Sequence, residues 1–234
     1  MLSALKRATH PARRAIAAAI CPSIASYAAS GEDLLAWSWI SGIEPDPGKI
    51  RYLDVGAAHP SRLSNTFLFY TRGSSGVLVE PDPDQAARLA AARPRDVVIA
   101  AGVAFDERRS ATLIRTTNPL FNSFSREQAN SVVEQSQSWH PSQRQKIEGS
   151  IETKLVTANE ILEGHFKGRP LHLLSIDAEG ANFDIFKSID FRRFSPIVIC
   201  IEAQRAVEDH LRALGGAYRL IFQSPDNFMF ARGT

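Results

Sequence analysis

Four acids stand at or near the ends of apolar stretches in this 234-residue chain: Asp54 in Ile50–Val55, Glu80 after Gly76–Val79, Asp177 after Leu171–Ile176, and Glu202 after Ile197–Ile201. A carboxylate at one strand tip is an ordinary loop residue. Four tips on one edge of a sheet converge on one crevice, where like charges repel unless a cation, a hydroxyl-rich ligand or a shared proton relieves them. The bland alternative is helix capping, which Asp54 and Asp177 can perform. Glu80 is the most readable of the four. An acid ending the second strand of a Rossmann-like unit can accept both hydroxyls of an adenosine ribose. The matching first turn is Asp54-Val55-Gly56-Ala57-Ala58, whose small residues let the backbone approach a ligand. It has one glycine and lacks the G-x-G-x-x-G run that seats a pyrophosphate. That absence favours a nucleoside cofactor without pyrophosphate, such as S-adenosylmethionine, over NAD.

These acids need strands and helices to place them. Ile50–Val55, Gly76–Glu80, Val97–Ala100, Leu171–Asp177 and Ile197–Glu202 read as buried strands. Thr112–Arg115 reads as a further strand on an edge, and Ile151–Val156 as extended. Helices are expected over Asn65–Tyr70, over Gln85–Ala92 with Asp82 as N-cap and Pro83 at N1, over Asn182–Ile189 and over Arg205–Leu214. Thr157-Ala158-Asn159-Glu160 is a capping box that opens another. Tyr218–Phe222 and Phe228–Ala231 flank a turn and read as a terminal hairpin. The alternation predicts an α/β fold: a doubly wound, mostly parallel sheet with a C-terminal antiparallel hairpin. Asn118–Ser150 breaks the rhythm. It is polar, without a strong apolar period, and reads as a lid or mobile loop.

Composition narrows the classes. Hydrophobic residues make up 44% and charged residues 22%, as in globular chains, which excludes bulk disorder. Two cysteines, Cys21 and Cys200, exclude a disulfide framework or a Cys-rich zinc fold. A net charge of +2 gives no ground to expect nucleic-acid binding. No apolar run approaches the ~20 residues needed to span a bilayer, so a cytoplasmic location is expected. The first thirty residues are basic, with Lys6, Arg7, Arg13 and Arg14 and no acid before Glu32. They read as an amphipathic helix that docks on the domain or touches anionic lipid, in preference to a cleaved signal. Trp37 and Trp39 are expected to pin the following helix to the core.

Several motifs in order resemble the FkbM-type methyltransferases. They are Gly31-Glu32-Asp33-Leu34, Leu53-Asp54-Val55-Gly56-Ala57-Ala58-His59-Pro60, Ser64-Asn65-Thr66 with Phe69-Tyr70, Leu174-Ser175-Ile176-Asp177-Ala178-Glu179-Gly180, and Ile201-Glu202. The resemblance implies a Rossmann-like class I methyltransferase fold, S-adenosylmethionine as cofactor, and O-methylation of a sugar, glycolipid or polyketide-type hydroxyl. The match runs from about Gly31 to Glu202, and the strand–helix rhythm divides the chain into a helical segment over 1–45 and a methyltransferase domain over 46–234 with an insertion or lid at about 116–150. The resemblance also implies that Asp54, Gly56, Ala57, Asn65 and Thr66 lie along the cofactor. Glu80 would hold its ribose, Asp82 would lie near the adenine, and Asp177 would sit by the amino group and the reacting centre. The sequence departs from the family at Ala28-Ala29, where Ser-Gln is common, and at Ala100-Ala101-Gly102-Val103, where an Asn is expected.

An alcohol is a poor nucleophile at neutral pH, so a base or a metal should assist. Candidate bases are His59, Asp177 and Glu179, with loop hydrogen bonding as the other reading of His59. Asp177, Glu179 and Glu202 can alternatively bind Mg²⁺, since hard cations take carboxylate oxygens. Asn118–Ser125 mixes aromatics with amides and hydroxyls, so Asn122 and Ser123 are candidate acceptor-binding residues. The other reading is an ordinary loop held down by Phe121 and Phe124. Trp139-His140-Pro141 marks the expected tip of the lid. Expected partners are a small-molecule or glycan acceptor, and not nucleic acid. Two rival functions make different demands. An NAD-dependent oxidoreductase calls for a pyrophosphate-binding glycine run, which is missing. A non-catalytic binding protein on the same fold calls for loss of Asp54 or Glu80, and both are present.

Overall fold

A computed structural model describes residues 25–233. The basic segment before them, with Cys21 and its expected amphipathic helix, lies outside the described residues. The chain alternates as expected. It runs α1 (Glu32–Ser41), β1 (Arg51–Val55), α2 (Phe67–Thr71), β2 (Ser75–Glu80), α3 (Pro83–Ala92), β3 (Val97–Ala100) and β4 (Gly102–Ala104). Then follow β5 (Ser110–Thr116), α4 (Arg126–Gln135), β6 (Ile147–Thr157), α5 (Ala158–Phe166) and β7 (Leu173–Ile176). The last elements are α6 (Asn182–Ser188), β8 (Val198–Glu202), α7 (Val207–Ala213), β9 (Tyr218–Gln223) and β10 (Asn227–Arg232).

The main sheet has seven strands in the order β3-β2-β1-β7-β8-β10-β9. β1, β2, β3, β7 and β8 pair in parallel, and β10 is antiparallel to both its neighbours. Side chains alternate across the sheet, so each strand feeds two cores. Leu53, Val55, Val77, Val79, Leu174 and Ile176 point to one, covered by α5, α6 and α7. Tyr52, Leu78, Leu173, Val198, Cys200 and Met229 point to the other, covered by α1, α2 and α3. Each fully buried aliphatic side chain stabilises the fold by roughly 1.5–3 kcal/mol, which is why these runs define the sheet so firmly. Trp37 and Trp39 pack on the second core, Trp37 edge-on to Phe69 with centroids 5.4 Å apart.

Local capping follows the sequence. Asp82 caps α3 by accepting from the Asp84 amide at 2.9 Å, and Pro83 takes the first helical position. Thr157 and Glu160 form the capping box of α5. The insertion departs from expectation. Residues 112–115 do form a strand, but within a second sheet of three strands ordered β4-β6-β5. β6 begins at Ile147, inside the stretch read as loop, and pairs antiparallel with β5. Between these strands lies α4, capped by Ser125. The helix escaped the apolar pattern because it fully buries one residue, Ala129.

Candidate active site

Parallel strands bring their carboxyl ends to one edge, and a cavity of about 190 Å³ opens there. Its floor comes from Gly56 and Ala57 after β1, Glu80 ending β2, and Asp177 and Glu179 after β7. Gly102 and Val103 also line it, together with Phe121 and Phe124 of the insertion, and the Phe124 ring packs against the bare backbone of Gly102. Gly56 has a φ of +82°, and a Cβ there would fall 1.8 Å from the Asp177 carbonyl oxygen. The bare backbone thus lets the tips of β1 and β7 cross in contact, which fixes where Asp177 emerges.

Glu80 is buried. Its Oε2 accepts from the Ala58 amide at 2.9 Å and its Oε1 from the Asp82 amide at 2.8 Å. A carboxylate oxygen accepts two hydrogen bonds, so each keeps one lone pair. Burial pushes the Glu80 carboxyl up to about 7, against the pull of those two amides. Asp177 is open to water within the cavity yet surrounded by protein, and this enclosure raises its pKa. The carboxylates of Glu202, Asp54, Asp226 and Glu32 add to the rise. Glu179 is half-buried and pushed up to about 8 by burial, then by Asp177 and Glu202. The insertion reaches it through Gln128 on α4, whose Nε2 donates to Glu179 Oε2 at 2.7 Å.

Other expected residues stand elsewhere. Asp54 and Thr66 do not line the cavity. The Thr66 hydroxyl donates to Asp54 Oδ2 at 2.5 Å and accepts from Arg93, which is fully buried. Arg93 also donates to Asp96 at 2.7 Å and to the Tyr52 hydroxyl at 3.0 Å. This network ties β1, α2 and the end of α3 together beneath the site. Asn65 bridges outward from it, donating to Ser175 Oγ at 3.2 Å. Asp82 is also outside the cavity lining. Beyond its capping bond it accepts from Arg115 at 2.9 Å and from the Asn122 side chain at 3.0 Å, so it straps the insertion to α3. The Asn122 carbonyl meanwhile accepts from the Thr116 amide at 2.8 Å. Asn122 and Ser123 do line the cavity, but their polar atoms are engaged with protein; Ser123 Oγ contacts Gln128 Oε1 at 3.2 Å. His59 lies outside the lining, and its Nδ1 accepts from the Ser61 and Arg62 amides at 3.1 and 2.9 Å. Burial, then Arg62 and Arg88, lower its pKa.

The three metal candidates do not form a ligand set. Glu202 accepts from Asn182 and Gln204, and Glu179 accepts from Gln128. Among the described residues no three His, Cys, Asp or Glu are grouped to hold a metal ion, and the Mg²⁺ expectation finds no support. Arg93 and Gln128 were missed in the sequence. A buried Arg is rare, and neither residue falls in a motif that marks it.

Two expectations follow from the charges. Arg93→Met leaves the buried Asp96 carboxylate without its cation, and unfolding in urea should show a loss of about 3–5 kcal/mol. A loss under ~1 kcal/mol would mean that solvent or other groups replace the guanidinium. The second concerns pH. Glu80, Asp177 and Glu179 hold their protons to higher pH folded than unfolded, so their stabilising contribution is complete in acid and is lost as pH rises through their folded values. His59, His172 and His210, all with lowered pKa, act in the opposite sense, but below about pH 6.5. Between about pH 6.5 and 8.5 the carboxyls decide, and stability of the ligand-free protein should fall by about 1–2 kcal/mol, allowing for the water that reaches Asp177 and Glu179. Paired urea titrations test this, and a rise over that interval contradicts it.

A mostly parallel seven-stranded sheet with an antiparallel strand near one end is the Rossmann-like methyltransferase architecture. The Methyltransferase FkbM domain matches residues 54–224, so the chain belongs to the FkbM methyltransferase family and is an S-adenosylmethionine-dependent methyltransferase. Among solved structures it is similar to a TehB-like SAM-dependent methyltransferase from Corynebacterium glutamicum, at 11% identity over 100% of both chains and a TM-score of 0.41. It is also similar to an O-methyltransferase from Bacillus cereus in complex with SAH, at 13% identity over 99% of this chain and 91% of that one, with a TM-score of 0.43. Comparison with curated proteins gives no match. No helix among the described residues is long and apolar enough to cross a membrane.

Proposed function

We propose that this methyltransferase transfers its methyl group to a hydroxyl of a sugar, glycolipid or similar small acceptor. The observation that carries the reading is the pair Asp177 and Glu179, two carboxyls of near-neutral proton affinity on the floor of one cavity. Bases that titrate near the working pH are the most effective at assisting a weak oxygen nucleophile. Phe121 and Phe124 in the lining add apolar surface of the kind against which a sugar ring can lie.

The residues present also fit the cofactor. Glu80 keeps a lone pair on each oxygen for the two ribose hydroxyls, and Ala57 and Ala58 line the cavity beside it with small side chains. When bound, S-adenosylmethionine supplies an electrophilic methyl carbon on a positively charged sulfur. The chain's own residues then have three tasks. Glu80 anchors the ribose, and the carboxylates of the floor favour a cation over a neutral group. Asp177, with Glu179 beside it, takes the hydroxyl proton as the acceptor oxygen forms its bond to carbon. Much of the gain is alignment of that oxygen with the breaking bond, which the crossed tips of β1 and β7 hold in place.

Calorimetric titration with S-adenosylhomocysteine, NAD as control, tests the cofactor. Methyl-labelled S-adenosylmethionine offered with free sugars, alkyl glycosides and glycolipids tests the acceptor. Label in a methyl ether supports the reading, and label on nitrogen or carbon acceptors alone overturns it.

A further inference from the structure

The insertion does more than cover the cavity: it sends one polar side chain onto the Glu179 carboxyl. Gln128 lies in the first turn of α4, where the Ser125 cap accepts its backbone amide at 3.2 Å. Its side-chain Nε2 donates to Glu179 Oε2 at 2.7 Å, and its Oε1 faces the Ser123 hydroxyl at 3.2 Å. Ser123 is itself fixed. It is 2% exposed, and its Oγ accepts from the Ser125 amide at 3.0 Å. The contact extends to the next residue. Gly180 has a φ of +91°, and a Cβ there would fall 2.3 Å from Gln128 Oε1. Any side chain at 180 would push the amide off its place, so the Glu-Gly pair after β7 is shaped to receive Gln128.

We propose that Gln128, oriented by Ser123, is the positioning residue that holds Glu179 in the cavity. This rests on the reading of Glu179 as part of the acceptor site. An amide suits the task because it can serve both forms of a carboxyl. Toward the carboxylate it donates through Nε2, while Oε1 accepts from Ser123. Toward the acid it can turn, accept the carboxyl proton at Oε1 and donate through Nε2 to Ser123, whose hydroxyl works in either direction. The carboxylate is the better served of the two, because the amide already donates to Glu179 Oε2 as it stands, while the acid requires it to turn. The charged groups that face it are Asp177 on its own loop and Glu202 from β8, both of like sign. α4 meets it with a neutral donor. Two elements thus place Glu179, the β7–α6 loop by covalent connection and the insertion by Gln128.

The test follows the Glu179 carboxyl directly, by carbon-13 NMR of glutamate-labelled full-length protein, with the resonance assigned through Glu179→Gln. Removing a donor to the charged form favours the protonated one. In Gln128→Leu the titration midpoint of Glu179 should move up by about one unit, and in Ser123→Ala by less. A merely structural α4 contact would leave that midpoint where it is, and an unchanged midpoint in folded Gln128→Leu overturns the proposal. Should Gln128→Leu fail to fold, the sign of the Ser123→Ala shift decides: upward supports it, none or downward overturns it. Titration with S-adenosylhomocysteine separates the two readings. Gln128→Leu should keep its affinity within about twofold. A wild-type protein that binds no S-adenosylhomocysteine removes the proposed function, while a raised Glu179 midpoint in its Gln128→Leu variant leaves the positioning role of Gln128 standing.

Discussion

Asp177→Asn should lower turnover by about 10²–10⁴-fold, the span that proton transfer by a placed side chain commonly supplies. The substitution keeps size and shape. The backbone it sits on is held independently, by the Asp177 amide donating to the Val55 carbonyl at 2.9 Å and by the bare Gly56 crossing above. What disappears is the proton acceptor. A second consequence has a definite sign. Asp177 is one of the charges that raise Glu179, so removing it lets Glu179 ionise at lower pH. The residual activity of Asp177→Asn should therefore rise with pH from a lower starting point than in the wild type. The measurement is initial rate against pH with one acceptor from the glycan panel, beside S-adenosylhomocysteine affinity. Wild-type turnover in the variant would remove Asp177 from the chemistry and leave Glu179 as the remaining base.

The frame of this site was legible in the sequence because apolar strands write themselves in runs. Ile50–Val55, Gly76–Glu80 and Ile197–Glu202 read as buried strands and are parallel strands of one sheet, with Glu80 and Glu202 closing two of them at the same edge. What each acid does there was less legible. Asp54 and Asp82 look alike in a motif, as acids beside a cofactor turn. In the fold Asp54 answers to Thr66 and Arg93, and Asp82 to Arg115 and Asn122. Those partners lie far along the chain, and no local spacing announces them. The insertion hid itself for a related reason. Asn122 and Ser123 read as acceptor-binding residues and Gln128 carried no signal, yet all three bond to the domain, Asn122 to Asp82 and Ser123 and Gln128 to Glu179. A polar residue that is buried and satisfied carries the same letter as one in water. The difference lies in long-range partners, which composition and periodicity do not record.

Glu80→Ala should weaken S-adenosylhomocysteine binding by about 10²–10⁴-fold. Two hydrogen bonds from ribose hydroxyls to a charged, buried acceptor are worth roughly 1.5–3 kcal/mol each, and every ~1.4 kcal/mol is tenfold. Part of the loss is indirect. Without the carboxylate, the Ala58 and Asp82 amides lose their acceptor, and the turn they shape is free to relax. Glu80→Gln separates the two effects. Its single carbonyl can serve one amide, but its NH₂ faces the other as a second donor, so its affinity should fall between wild type and Ala. The pH dependence gives an independent check. Because burial holds the free carboxyl near 7, binding to the ionised form expels a proton at about pH 6 and weakens as pH falls below 7. Calorimetry in two buffers of different ionisation enthalpy counts that proton. Glu80→Ala should release fewer protons than the wild type and its affinity should follow pH less steeply, what remains belonging to Asp177 and Glu179 in the same cavity. An affinity equal to wild type in Glu80→Ala would move the ribose to another acceptor and reduce Glu80 to the clamp that binds the turns after β1 and β2.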